Sequence, residues 1–143
     1  EVAYDIFTME NVHQGIGSGI IGNLPEEMEE LEFLQKIKSV FNVTVIRHTP
    51  LLNKRVKKVA LCGGAGSFLM KTALNKGADF YISSDIKYHE FFDADGKMVV
   101  ADIGHYESEQ YTVELLHDLL VKKFPTFAVL KTAVNTNPVQ YFT

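Results

Sequence analysis

Apolar and polar positions along the second half of the chain switch between two periods. Short apolar runs of strand length occupy residues 56–62, 79–83, 97–103 and 126–130. Between them, residues 67–76 (closed near Gly77), 86–92 and 106–124 carry apolar side chains at helical steps. In the longest of these segments the spacing predicts Val113, Leu116, Leu119 and Leu120 on an inward face. Strands that alternate with helices need crossover connections. The expected architecture is therefore α/β, with a mainly parallel or mixed sheet and helices on both faces.

The first half is less regular. Residues 2–7 alternate as a strand does. Residues 8–23 hold Gly15, Gly17, Gly19 and Gly22 and read as a long loop, a length that compact domains reserve for function or mobility. Pro25 opens a predicted helix that runs to about Phe41. Its acidic first turn (Glu26, Glu27, Glu29, Glu30) suits the positive end of the helix dipole. Met28, Leu31, Leu34, Ile37 and Phe41 form its expected buried stripe. A short strand is expected over residues 43–47 and a basic turn over 54–58.

Composition narrows the picture. A chain of 143 residues builds one core, and 46% hydrophobic with 22% charged residues is a globular balance rather than a disordered one. No apolar run is long enough to cross a membrane. The net charge of −4 gives no positive field to release counterions from phosphates, which argues against non-specific nucleic-acid binding. Cys62 stands alone, so an internal disulfide and a cysteine-rich zinc site are excluded. The expected compartment is a reducing cytoplasm. Cys62 ends an apolar strand and reads as a small core residue. The opening Glu-Val-Ala-Tyr-Asp-Ile-Phe has neither a Met nor a signal-peptide pattern, and the expectation is a piece of a longer protein.

Three groups could carry chemistry, and each follows a predicted strand. The turn Gly63-Gly64-Ala65-Gly66-Ser67 could present backbone N–H groups to an anion, or could be a tight turn that needs small residues. It lacks the Gly-Lys-Ser/Thr ending of a Walker motif, and Leu69 stands where a third dinucleotide-binding glycine would be. In Ser83-Ser84-Asp85-Ile86-Lys87-Tyr88-His89, a helix would place Asp85 and His89 on one face; the alternative is an Asp cap beside a solvated His. In Asp102-Ile103-Gly104-His105-Tyr106-Glu107-Ser108-Glu109, His105 and Glu109 have the same spacing. Imidazole and carboxylate are ordinary ligands of a borderline divalent metal, although Glu109 also suits a first helical turn. All three groups belong at the C-terminal ends of strands, where open α/β sheets build their sites, so they are expected to share one cavity. Tyr88, Tyr106, Phe91 and Phe92 read as packing rather than a stacking platform. His13 and His48 lie in loops, and His117 reads as surface or boundary.

The run Val59-Ala60-Leu61-Cys62-Gly63-Gly64-Ala65-Gly66-Ser67, then Asp85-Ile86-Lys87-Tyr88-His89-Glu90, then Gly104-His105-Tyr106 with Glu109, resembles the GTP cyclohydrolase 1 type 2 homologue family (Nif-three-like) across roughly residues 15–135. The resemblance implies two similar α/β lobes with a dinuclear metal site in the cleft between them. It also implies a homo-oligomer, a toroidal hexamer with sites facing an inner cavity, and metal-dependent hydrolysis. It makes His105 and Glu109 metal ligands and places Asp85 and His89 at cavity-lining positions with catalytic roles. Gly63, Gly64, Gly66 and Ser67 become the holder of a substrate anion. The family's remaining ligands come from a first lobe with a His-His-Pro motif, and no His-His pair occurs here. The opening segment resembles the tail of an inserted ferredoxin-like domain. The chain is accordingly expected to hold that tail in residues 1–14 and the C-terminal lobe in residues 15–143. Its partner would be the N-terminal lobe of the same protein, and divalent metal (Zn, Mn or Fe, two per complete site) would be only partly held.

Two functions follow. One is half of a hydrolase acting on a nucleotide or phosphoester-like small molecule. The other is a metal-binding scaffold or regulatory protein without turnover. A plain nucleotide binder of the dinucleotide-fold type is a third reading.

Overall fold

A computed structural model describes residues 16–142. The expected strand over residues 2–7, the proposed tail over 1–14 and His13 lie outside the described residues. Five strands form one mixed sheet in the order β1-β3-β4-β5-β2. These are β1 (Ile20–Glu29), β2 (Arg47–His48), β3 (Arg55–Ala65), β4 (Phe80–Ser84) and β5 (Val99–Asp102). β3, β4 and β5 run parallel at the centre, and β1 and β2 are added antiparallel at the edges.

The central strands are buried on both faces, which is why they read as unbroken apolar runs. Successive side chains point to opposite faces of a strand. Phe80, Ile82, Val99, Ala101 and Ile103 pack on one side, against Phe33, Leu34 and Ile37 of helix α1 (Glu30–Val40). Tyr81, Met98 and Val100 pack on the other, against Met70 and Ala73 of helix α2 (Met70–Asn75) and Ala94 of the 3₁₀ segment Tyr88–Ala94. Helices thus cover both faces, as expected.

The first half departs from its reading. Residues 20–23 belong to β1 rather than to a loop, and Glu26, Glu27 and Glu29 lie on that strand rather than in a helical first turn. Pro25 sits inside the register break between Asn23 and Met28, on an edge strand where a missing N–H costs no ladder bond. The acidic run is matched across the sheet by the basic start of β3. Arg55 reaches Glu29 at 2.6 Å and Glu27 at 3.7 Å, and Lys57 Nζ donates to the Pro25 carbonyl at 3.1 Å. The expected basic turn over 54–58 is therefore largely strand. The helix starts at Glu30, and its buried face is Glu30, Phe33, Leu34 and Ile37; Leu31 is exposed. Glu30 is buried because its carboxylate accepts the N–H groups of Leu52 and Asn53.

The C-terminal part departs further. The expected helix over 106–124 is two helices, α3 (His105–Glu109) and α4 (Thr112–Lys123). Gln110 and Tyr111 break it, anchored sideways by hydrogen bonds to the carbonyls of Phe41 and Val40. Val113, Leu116, Leu119 and Leu120 are exposed rather than inward, because no described element packs over α4. Residues 126–130 form no strand. Among the described residues no helix is long and apolar enough to cross a membrane.

Candidate functional site

The C-terminal ends of the three parallel strands meet at one sheet edge, and Asp102 at the end of β5 organises it. This carboxylate is almost fully buried. Its Oδ2 accepts the Ile86 N–H at 3.0 Å and an ion-paired hydrogen bond from Arg47 of β2. Its Oδ1 accepts the Gly104 N–H at 3.1 Å. Ile86 and Gly104 are the sequence neighbours of Asp85 and His105, so one buried charge sets both segments in place.

Asp85 adopts a left-handed backbone, φ +54°, and lies ahead of the 3₁₀ segment rather than on a helical face with His89. That turn aims its carboxylate at α3. Asp85 Oδ2 stands 2.6 Å from His105 Nδ1, and the other ring nitrogen, Nε2, stands 3.3 Å from Glu109 Oε2 one helical turn later. The hydrogen bond to Asp85 is the main cause holding the His105 imidazole above its usual pKa, with the nearby Glu109 carboxylate adding to it. All three side chains are about half exposed.

The glycine turn closes in behind this row. Gly64 has φ +64°, and a Cβ there would stand 2.5 Å from Glu109 Oε1. Its N–H donates to Ser108 Oγ at 2.8 Å, and Ser108 Oγ in turn donates to the His105 carbonyl at 2.8 Å. Gly63 faces Ser108 and Glu109 as well. Gly66 is hemmed in by Ser83, Cys62 and Tyr81, with the Tyr81 hydroxyl donating to its carbonyl at 2.6 Å. Ser67 turns to Glu90, donating to Oε1 at 2.9 Å; the Lys87 N–H first, and then this hydroxyl, hold that carboxyl below its usual range.

A cleft of about 740 Å³ opens in front of His105 and Glu109. Asp85, Asp102, Arg47 and Glu107 line it on the sheet side, and residues 132–141 form its far wall. Buried Glu107 ties that wall down, accepting from Asn137 Nδ2 at 3.2 Å. Tyr141 stands close by, and burial followed by the Glu107 charge pushes its phenol up.

The structure thus brings Asp85, His105, Glu109, Gly63 and Gly64 together. Ser67 and Gly66 lie on the far side of the turn, and His89 is exposed and does not line the cleft. Tyr88 and Phe92 are exposed at 80% and 69%, edge to face with centroids 5.6 Å apart, rather than packed inside. Cys62 is in the core, as read. Sequence reasoning missed Asp102, Glu107, Ser108 and Arg47. The signal for Asp102 was an acid ending a strand apolar on both faces, a place where a charge survives only if paired.

Among the described residues, no three ligating side chains converge on one point. His105 and Glu109 do form a fitting pair. Two ligands about 2.1 Å from one ion, at tetrahedral or octahedral angles, stand roughly 3.0–3.4 Å apart.

Comparisons with known proteins identify the family and the fold. The family description Duf34/NIF3 (NGG1p interacting factor 3) matches residues 3–138. A protein of Halalkalibacterium halodurans named GTP cyclohydrolase 1 type 2 homolog is 36% identical over 99% of this chain and 39% of its own length. A protein of the same name from Staphylococcus epidermidis is 34% identical over 96% of this chain and 38% of its own length. Among solved structures, the Bacillus cereus protein related to NIF3 superposes with TM-score 0.76 and 30% identity, over 98% of this chain and 40% of that one. The Staphylococcus aureus protein SA1388 superposes with TM-score 0.74 and 28% identity, over 87% of this chain and 42% of that one. The chain spans about two-fifths of the length of these relatives. With a match across nearly its whole length, the chain belongs to the Duf34/NIF3 family.

Proposed function

We propose that residues 15–143 are the C-terminal lobe of a dinuclear-metal-dependent hydrolase acting on a nucleotide or phosphoester-like small molecule, and residues 1–14 the tail of an inserted domain. The observation that carries this reading is the 3.3 Å spacing of His105 Nε2 and Glu109 Oε2 at the mouth of the cleft. A first lobe of the same protein would supply the remaining ligands. The assembled protein would be a cytoplasmic toroidal hexamer.

The bound metals (Zn, Mn or Fe) would supply a water made acidic and a polarised phosphoryl or ring carbon. This chain's residues do the positioning. Asp85 holds Nδ1 of His105, which fixes the ring and turns Nε2 toward Glu109. Gly64 leaves room for the Glu109 carboxylate, and Ser108 ties the glycine turn to α3. Asp85, hydrogen-bonded to His105, is the candidate for taking up a proton, and His89, which stands outside the cleft, is kept only as a second candidate. Ser67 and Gly66 remain candidates for holding a substrate anion from behind the turn.

The test is an assay of the full-length protein with Mn or Zn against nucleotides and phosphoesters, beside His105→Ala. Metal-dependent turnover that the variant loses supports the hydrolase. Metal binding lost in the variant, with no turnover in either protein, leaves a metal-binding scaffold in its place.

A further inference from the structure

We propose that an aromatic groove beside the cleft, between β2 and the 3₁₀ segment Tyr88–Ala94, receives the base of a nucleotide. The small molecule of the reading above is then a nucleotide rather than another phosphoester. The proposal rests on that reading only for the phosphate end of the ligand, which would lie toward the cleft.

The groove holds about 320 Å³, the lower end of the range for small-molecule sites, and residues 47–50 face Tyr88, Phe91 and Phe92 across it. Tyr88 and Phe92 meet edge to face at its rim with most of their surface in solvent, while Phe91 is half-buried beneath them. Exposed rings that are already fixed are a stacking surface, because a planar ligand covers them without ordering a flexible side chain. The start of the segment is fixed by Glu90, which accepts the Lys87 N–H at 2.8 Å and the Ser67 hydroxyl at 2.9 Å.

The polar groups on the other side choose the occupant. The Arg47 guanidinium stands 5.5 Å from the centroid of the Phe91 ring. Both of its described hydrogen bonds, to Asp102 and to the Ile86 carbonyl, leave through Nη2. Nη1 and Nε have no partner among the described residues and remain as donors. His48 supplies the complement. Its Nδ1 stands 2.7 Å from the Thr49 carbonyl, which can only accept, so the neutral ring keeps Nε2 as an acceptor. Donors and an acceptor beside an aromatic face match the edge of a nucleobase, which carries both. A purely apolar occupant would leave them unpaired. No carboxylate is among the residues lining the groove, whereas Asp85, Asp102, Glu107 and Glu109 line the cleft. Among the described residues Arg47 alone lines both. A ligand with its ring in the groove that extends past Arg47 therefore carries its phosphate toward His105 and Glu109.

The test is isothermal titration of the full-length protein with AMP, GMP, CMP, UMP and ribose 5-phosphate. The phosphate is common to all five, so any metal at the site acts on them alike and the difference reads the base. At least one nucleotide is expected to bind at least about fivefold more tightly than ribose 5-phosphate, the low end of what stacking on one aromatic ring contributes. Tyr88→Ala and Phe92→Ala, both at exposed positions, are expected to remove that advantage and to leave ribose 5-phosphate binding unchanged. Equal affinities for all five ligands would overturn the proposal, as would an advantage that survives both substitutions. Survival of the advantage together with loss of self-association in the variants, seen by sedimentation, would overturn it in favour of a second copy seated on the groove. Equal affinities beside metal-dependent turnover that His105→Ala loses would leave the hydrolase standing without this subsite. A base preference without turnover would keep the subsite and remove the hydrolase.

Discussion

Gly64 shows what a single residue contributes to this site. Its φ of +64° is a conformation that side-chain-bearing residues rarely adopt, and a Cβ would meet Glu109 Oε1. Gly64→Ala is expected to destabilise the fold by about 1–3 kcal/mol and to displace the Glu109 carboxylate. Chemical denaturation measures the first effect, and the loss of pairing between His105 and Glu109, read from the imidazole titration by NMR, measures the second. Asp102 carries a larger charge effect. Removing a buried carboxylate that serves Arg47, Ile86 and Gly104 leaves the Ile86 and Gly104 N–H groups without their acceptor, while half-exposed Arg47 keeps the Ile86 carbonyl, so Asp102→Ala is expected to cost about 2–4 kcal/mol. Urea unfolding of the variant tests this, and a loss below about 1 kcal/mol would mean that the clamp is not structural.

Tyr81 gives a pH dependence. Burial is the main cause that pushes its phenol up to about 12. In the unfolded chain the phenol loses its proton near pH 10, while the folded protein retains it. The stabilisation is therefore intact below about pH 10 and is lost as pH rises toward 12, by roughly 2–3 kcal/mol in all. Tyr81→Phe should flatten that slope while losing about 1 kcal/mol at neutral pH, where the Gly66 carbonyl loses its donor. Unfolding curves at about pH 8 and about pH 11 compare the two slopes.

Among the elements, the parallel strands β3, β4 and β5 were legible and the edges were not. A strand covered on both faces must be apolar at every position, so Phe80–Ser84 and Val99–Asp102 announce themselves. β1 contains a proline and three glutamates in its second half, and those residues locally favour a helix start. Pairing with Arg55 and Lys57 across the edge outweighs that preference. The wall formed by residues 132–141 has no hydrophobic period at all, and buried Glu107 is hydrogen-bonded to it through Asn137. Glu107→Ala is expected to release it, with amide exchange at Asn137 and Val139 rising at least about tenfold while β4 and β5 stay protected. Unchanged exchange along that wall would show that Glu107 is not its anchor.

For the molecule as a whole, metal affinity separates part from complete site. Two protein ligands leave most of an ion's coordination to water. On the two-lobe reading proposed above, this chain alone is expected to bind Zn or Mn weakly, and the full-length protein by orders of magnitude more tightly, because the first lobe would bring the further ligands into place. Isothermal titration of both proteins is the measurement. Tight binding by this chain alone, abolished by Glu109→Ala, would mean that it carries a complete site.

By itself the sequence determined the central sheet, the helices on its two faces and the pairing of His105 with Glu109. Those features depend on unbroken apolar runs of strand length and on a period of about four residues, which are written locally. Only the tertiary structure decided that Asp85 turns to His105 rather than to His89, since the left-handed turn at Asp85 follows from Asp102 holding the Ile86 N–H across the sheet edge. It alone decided that α4 faces outward. The apolar period of a helix says that one side must be covered, while the neighbour that covers it lies outside the helix, and for Leu116 and Leu119 outside every described element of this chain.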